Sequence, residues 1–65
     1  MHLNIIREDL IVGYTDEDGL RYNKKIKELL KKGYKLEETE YKPSGDIIEY
    51  YVKGNKIFSI NHLAV

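Results

Sequence analysis

The stretch LRYNKKIKELLKKGYKL, Leu20 to Leu36, carries an amphipathic helix, its stop signal and the start of a strand. Tyr22, Ile26, Leu29 and Leu30 fall at i, i+4, i+7 and i+8, with Leu20 near the same face. That is the stripe of a helix packed on a core. Lys24, Lys25, Lys27, Glu28, Lys31 and Lys32 occupy the other side. Just upstream, Thr15-Asp16-Glu17-Asp18 fits a capping box, with Thr15 as N-cap and Asp18 at N3. The three acids suit the positive end of the helix dipole and Lys31 and Lys32 its negative end. Glu17 with Arg21, and Glu28 with Lys32, have the favourable i,i+4 order. Gly33 can take the left-handed conformation that closes a helix. The spacing predicts a helix from about Asp16 to Lys32, although Gly19 in the first turn weakens its start and admits a beginning nearer Asn23.

Downstream, Tyr34 and Leu36 alternate with Lys35 and Glu37, so a strand opens with an inward-facing pair. The alternation then fails at Glu38 and Glu40, and a bulge near Glu38-Thr39 would repair it. Lys42-Pro43-Ser44-Gly45-Asp46 is a turn by composition. In the hairpin that follows, Ile48, Tyr50 and Val52 share one face, and Ile47, Glu49, Tyr51 and Lys53 the other. A three-residue loop, Lys53-Gly54-Asn55, would pair Tyr50 with Phe58 and Ile48 with Ile60, gathering the strong hydrophobes on one face. A two-residue Gly54-Asn55 turn would pair Tyr50 with Ser59 and Ile48 with Asn61. A one-residue slip flips a whole strand, and the hydrophobic pattern favours the longer loop.

Upstream, His2 to Tyr14 reads as extended, with β-favouring Leu3, Ile5, Ile6, Leu10, Ile11 and Val12 interrupted by Arg7-Glu8-Asp9. A single strand bulged near Glu8 is preferred to a hairpin, because Glu8-Asp9 lacks the residues that two-residue turns require. The expected architecture is therefore α+β: one small domain spanning residues 1–65, strand, helix, then a three-stranded antiparallel meander with the helix on one face.

A chain of 65 residues has a thin stability margin, and without cysteine it has neither disulfides nor thiolate metal sites to staple it. Oligomerisation is one remaining remedy. Eleven basic and eleven acidic residues cancel, which argues against a dedicated nucleic-acid binder. No apolar run approaches a membrane span, and MHLNIIRED is not a secretory signal. A cytoplasmic location is the expectation, supported by the absence of cysteine.

Little points to catalysis. Ser44 and Ser59 have no His or Asp constellation beside them, and Glu37, Glu38 and Glu40 read as the solvated side of a strand. Asp16-Glu17-Asp18-Gly19 resembles a calcium loop only superficially: with Gly19 at loop position 6, Tyr14 and Lys25 stand where carboxylates are required. His2 and His62, at opposite ends of the chain, make a poor metal pair. No catalytic residue, metal or cofactor is expected.

Two features suggest binding. Six tyrosines accompany one phenylalanine and no tryptophan. Tyr22, Tyr34 and Tyr50 suit the core, which leaves Tyr41, Ile47, Tyr51 and Ile57 as an apolar patch on the reverse of the sheet, the expected partner-binding surface. On that reading Tyr51→Glu would abolish association without unfolding the chain. Separately, Lys24, Lys25, Lys27, Lys31 and Lys32 could grip phosphates, although Glu28 interrupts them and a solvated helix face explains them too.

Lys27-Glu28-Leu29-Leu30-Lys31-Lys32-Gly33-Tyr34-Lys35-Leu36 resembles a motif of small uncharacterised bacterial and phage proteins, in which a helix ends in an L-x-x-G-W-x-L type sequence between an opening strand and an antiparallel hairpin. Tyr34 stands here in place of the tryptophan. The resemblance implies the same fold and brings no activity or site residues. The expectation is a non-catalytic protein-interaction module, a homo-oligomer (dimer) and/or a binder of another protein, of the kind that phage or mobile-element accessory proteins use to bind or inhibit a host protein. The alternative is a single-stranded nucleic-acid or nucleotide binder with stacking tyrosines and helix lysines on phosphates.

Overall fold

The computed structural model describes residues 4–64; expectations for His2, for the start of the first strand and for Val65 lie outside them. The elements run β1 (Ile6–Val12), α1 (Asp16–Lys31), β2 (Lys35–Tyr41), β3 (Ile47–Lys53) and β4 (Lys56–His62). They form a single α+β unit, one helix on one face of a four-stranded mixed sheet. The strand order is β1-β4-β3-β2: β2, β3 and β4 are the antiparallel meander, and β1 adds to β4 in parallel. The helix carries the chain from one edge strand to the other, and the meander returns it beside its own beginning.

α1 starts where its cap places it. Thr15 is extended (φ −85°, ψ 156°) and its Oγ1 accepts from the Asp18 N–H at 3.1 Å. Asp18 does not reach back to the Thr15 backbone; its Oδ2 accepts from the Gly13 N–H at 3.1 Å and its Oδ1 from Arg21 at 2.9 Å. Asp18, not Glu17, is therefore the partner of Arg21. The Gly19 N–H bonds Thr15 O at 3.0 Å, so the first turn is regular despite the glycine. At the other end the N–H groups of Lys32, Gly33 and Tyr34 bond Glu28 O, Leu30 O and Leu29 O, and Gly33 has φ +95°. Gly33 thus takes a conformation that a Cβ would oppose.

The core contains Val12, Leu29, Tyr51, Phe58 and Ile60, with Leu10, Tyr22, Ile26 and Tyr34 packed against it. Leu29 is the buried centre of the helical stripe. Leu20 and Leu30 are instead 71% and 55% exposed, so the stripe is narrower than the spacing implies.

The pleat of β3 departs from expectation. Lys53 pairs with Lys56 across a two-residue Gly54-Asn55 turn, so Tyr51 faces Phe58, Tyr50 faces Ser59 and Ile48 faces Asn61. Gly54 has φ +58° and, among the described residues, only glycines have positive φ, which fits a type II′ turn with glycine first. Phe58 and Ile60 therefore face the helix, while Ile48, Tyr50 and Val52 face away. The exchange is favourable because it buries the large Tyr51 ring, and because Glu49, carried inward with it, finds hydrogen-bond donors there.

β1 is one strand in continuous register from Ile6↔Lys56 to Val12↔His62, with no bulge at Glu8. The irregularity in β2 lies between Leu36 and Glu38, one residue earlier than Glu38-Thr39. The end of the chain is tied down: Asn61 and His62 belong to β4, Leu63 N–H bonds Val12 O at 3.0 Å, and Ala64 N–H bonds Asp46 Oδ1 at 2.7 Å.

Candidate functional site

The register sorts the side chains onto two faces. Under the helix, Glu49 is opposite Ile60 and two residue pairs along from His62, on the same face. Its Oε1 accepts from the Tyr22 hydroxyl at 2.6 Å and lies 2.7 Å from His62 Nε2; its Oε2 is 3.4 Å from the Tyr51 hydroxyl. The Tyr22 and His62 rings meet edge to face at 4.7 Å. Burial, then the Glu49 carboxylate, pushes the Tyr22 phenol well above its ordinary range, and the same two causes raise Tyr51. Phenols held in the protonated form are poor nucleophiles. The cluster therefore acts as a polar clasp joining α1, β3 and β4. Sequence inspection missed Glu49 because its partners lie 27 and 13 residues away.

The opposite face is open. Its three cross-strand rows are Arg7–Ile57–Val52–Lys35, Asp9–Ser59–Tyr50–Glu38 and Ile11–Asn61–Ile48–Glu40. The central strands supply Ile57, Val52, Tyr50 and Ile48 with polar Ser59 and Asn61, and the edge strands supply charge apart from Ile11, which is 52% exposed. The Tyr50 hydroxyl donates to Glu40 at 2.9 Å, which raises its pKa and lays the ring along the sheet edge. Asn61 Oδ1 is buried with no hydrogen-bond partner among the described residues.

The four residues expected to form the partner patch do not share a surface. Tyr51 is 4% exposed and part of the core, so Tyr51→Glu would strike the fold itself. Tyr41 and Ile47 are cross-strand partners on the helix side of the sheet, beyond the cover of α1; Tyr41 is exposed and Ile47 half-buried. Ile57 alone lies on the open face, between Arg7 and Val52. An open apolar face exists, but its members are the half-buried Tyr50, Val52 and Ile57 and the exposed Ile11, with Ile48 buried beside them. Gly54-Asn55 was the signal that would have found them, since the turn length fixes the pleat.

The helix lysines also divide. Lys24, Lys27 and Lys31 are exposed, whereas Lys25 and Lys32 flank Glu28 at 3.6 and 2.9 Å. Those two pairs hold the Glu28 carboxyl below its ordinary range, the hydrogen bond from Lys32 being the larger cause. Tyr50 on the open face and the lysines of α1 stand on opposite sides of the sheet. A single strand of nucleic acid could not stack on that tyrosine and meet those lysines together.

Among the described residues no group of three or more His, Asp or Glu side chains could hold a metal, and no helix is long and apolar enough to cross a membrane. Comparison with protein-family models, with curated proteins and with solved structures finds no match for this chain.

Proposed function

We propose that the protein is a non-catalytic interaction module that pairs with a second copy of itself through the open face of its sheet. The supporting observation is the order of charge along the two edges. The first row ends in Arg7 and Lys35, the second in Asp9 and Glu38. Among the described residues none of these four takes part in an ion pair. A two-fold axis running across the strands, between the two rows, lays Arg7 over Asp9 of the second copy and Lys35 over its Glu38. At the centre Val52 then meets Tyr50 of the second copy, and Ile57 lies over its Ser59. An axis parallel to the strands would instead set Arg7 over Lys35. The face is self-complementary in one arrangement, as an isologous interface requires.

Four strands of seven residues present a face roughly 19 by 24 Å; an axis between the first two rows lies about one residue off the middle of the strands, so the pair buries on the order of 650 Å², the range of weak and transient interfaces. The dimer is accordingly weak and concentration-dependent. A cytoplasmic accessory role, in which the pair engages a host protein, extends this reading by the resemblance of residues 27–36 to small bacterial and phage proteins.

Sedimentation equilibrium up to about 1 mM protein tests it, a range suited to an interface of this size. Wild type shows a monomer–dimer equilibrium, and Val52→Glu is monomeric with an unchanged circular dichroism spectrum. A wild-type chain that stays monomeric throughout overturns the proposal.

A further inference from the structure

A second surface, on the helix side of the sheet, is independent of that pairing. Between the C-terminal half of α1 and the β3–β4 turn lies a cleft of about 420 Å³, within the range of small-ligand sites and too small for a macromolecule. Lys25, Lys32, Lys53 and Lys56 line it against Glu8 and Glu28, an excess of two positive charges on a chain whose net charge is zero. Lys25 and Lys32 share the Glu28 carboxylate, and Lys25 also sits 5.0 Å from the centre of the Phe58 ring. Lys53 and Lys56 have no ion-pair partner among the described residues.

These two lysines are direct cross-strand partners, a placement in which like charges repel. The Lys53 side chain runs close to Gly33, within 3.8 Å of where a Cβ there would sit, so its ammonium is carried towards the end of the helix. The carbonyls of Glu28, Leu29 and Leu30 at this end already accept from the N–H groups of Lys32, Tyr34 and Gly33. The half-buried Tyr34 supplies an aromatic wall, and the buried Phe58 and Leu29 show the cleft only their edges, with Lys25 over the Phe58 ring.

We infer that this cleft binds a small phosphate-bearing molecule with a flat apolar body, the class of the nucleoside phosphates: Lys53 and Lys56 take the phosphates and Phe58 and Tyr34 border the ring. An anion there relieves the Lys53–Lys56 repulsion, which gives binding a gain that the empty cleft lacks.

Nuclear magnetic resonance titration of the intact chain with adenosine diphosphate, inorganic pyrophosphate and adenosine tests the inference. Adenosine diphosphate is expected to shift the amides of residues 32–34 and 53–58 and to bind about tenfold more tightly than either other probe, with marked weakening between about 50 and 200 mM salt. Lys53→Ala with Lys56→Ala should weaken it about tenfold or more while the fold stays as stable or gains stability. Lys24→Ala with Lys27→Ala and Lys31→Ala should leave it unchanged. The inference is overturned if adenosine diphosphate leaves those amides unmoved, if pyrophosphate binds as tightly, or if the Lys53/Lys56 double variant binds like wild type.

Discussion

Glu49 shows how a single side chain can set the phase of a strand. Read by hydropathy it belongs in water, and with it Ile47 and Tyr51. In the folded chain its carboxylate takes hydrogen bonds from Tyr22 and is shared with His62 and Tyr51, so facing inward leaves it satisfied. Burial, and after it the Glu49 carboxylate, holds the protons on the two phenols and raises both above their ordinary pKa. In the unfolded chain these phenols ionise near pH 10; in the folded chain they do not until higher pH. Stability is therefore fully present below pH 10 and falls as pH rises beyond it, because the unfolded state then binds fewer protons. Urea denaturation as a function of pH should show this alkaline decline, and Tyr22→Phe should flatten it. Truncating the carboxylate leaves the phenols and imidazole without their acceptor, and Glu49→Ala should cost about 2 kcal/mol by the same measurement.

At the level of elements, what the sequence makes legible is what is decided locally. The helix, its Thr15 cap, its Gly33 stop and the three strands after it are all set by residues within a turn or two of one another. The acid limb of stability belongs here. The Thr15 side chain, the Gly13 N–H and the Arg21 guanidinium hold the Asp18 carboxyl below its ordinary range, the Thr15 contribution being the largest. A depressed carboxyl contributes stability above its unfolded pKa and loses it as pH falls through the folded one. Asp18→Asn should therefore shallow the acid limb of a thermal-unfolding profile below about pH 4, and Thr15→Ala should lower stability by about 1 kcal/mol at neutral pH. Two features resisted prediction for physical reasons. The pleat of β3 depended on choosing between turns of two and three residues, and a hydrophobic count outvoted the glycine at position 54. The place of β1 depended on a parallel pairing of the two chain ends, from Ile6 with Lys56 to Val12 with His62, for which no short-range signal exists. The make-up of the uncovered sheet face followed from the pleat: the sequence reading put Tyr51 on it where the structure puts Tyr50.

For the whole molecule, one helix cannot cover both faces of a four-stranded sheet, and the described residues contain no second helix. The helix side is closed by Leu29, Ile26 and Tyr22; the other side keeps Ile48, Tyr50, Val52 and Ile57 in a strip bordered by charge. A second copy is the covering proposed for it, from the charges along its edges. Because Arg7 and Asp9 are both exposed, their charges can be reversed without touching the core. The most direct measurement is the dimer dissociation constant, by sedimentation equilibrium, of Arg7→Asp, Asp9→Arg and the double variant carrying both. In a pair related by an axis across the strands, each single reversal sets like charges together at two symmetric places and weakens the dimer about tenfold or more. The double variant restores both contacts and returns the constant to near that of wild type. A double variant as weak as either single one, or single variants that pair as wild type does, would contradict the arrangement.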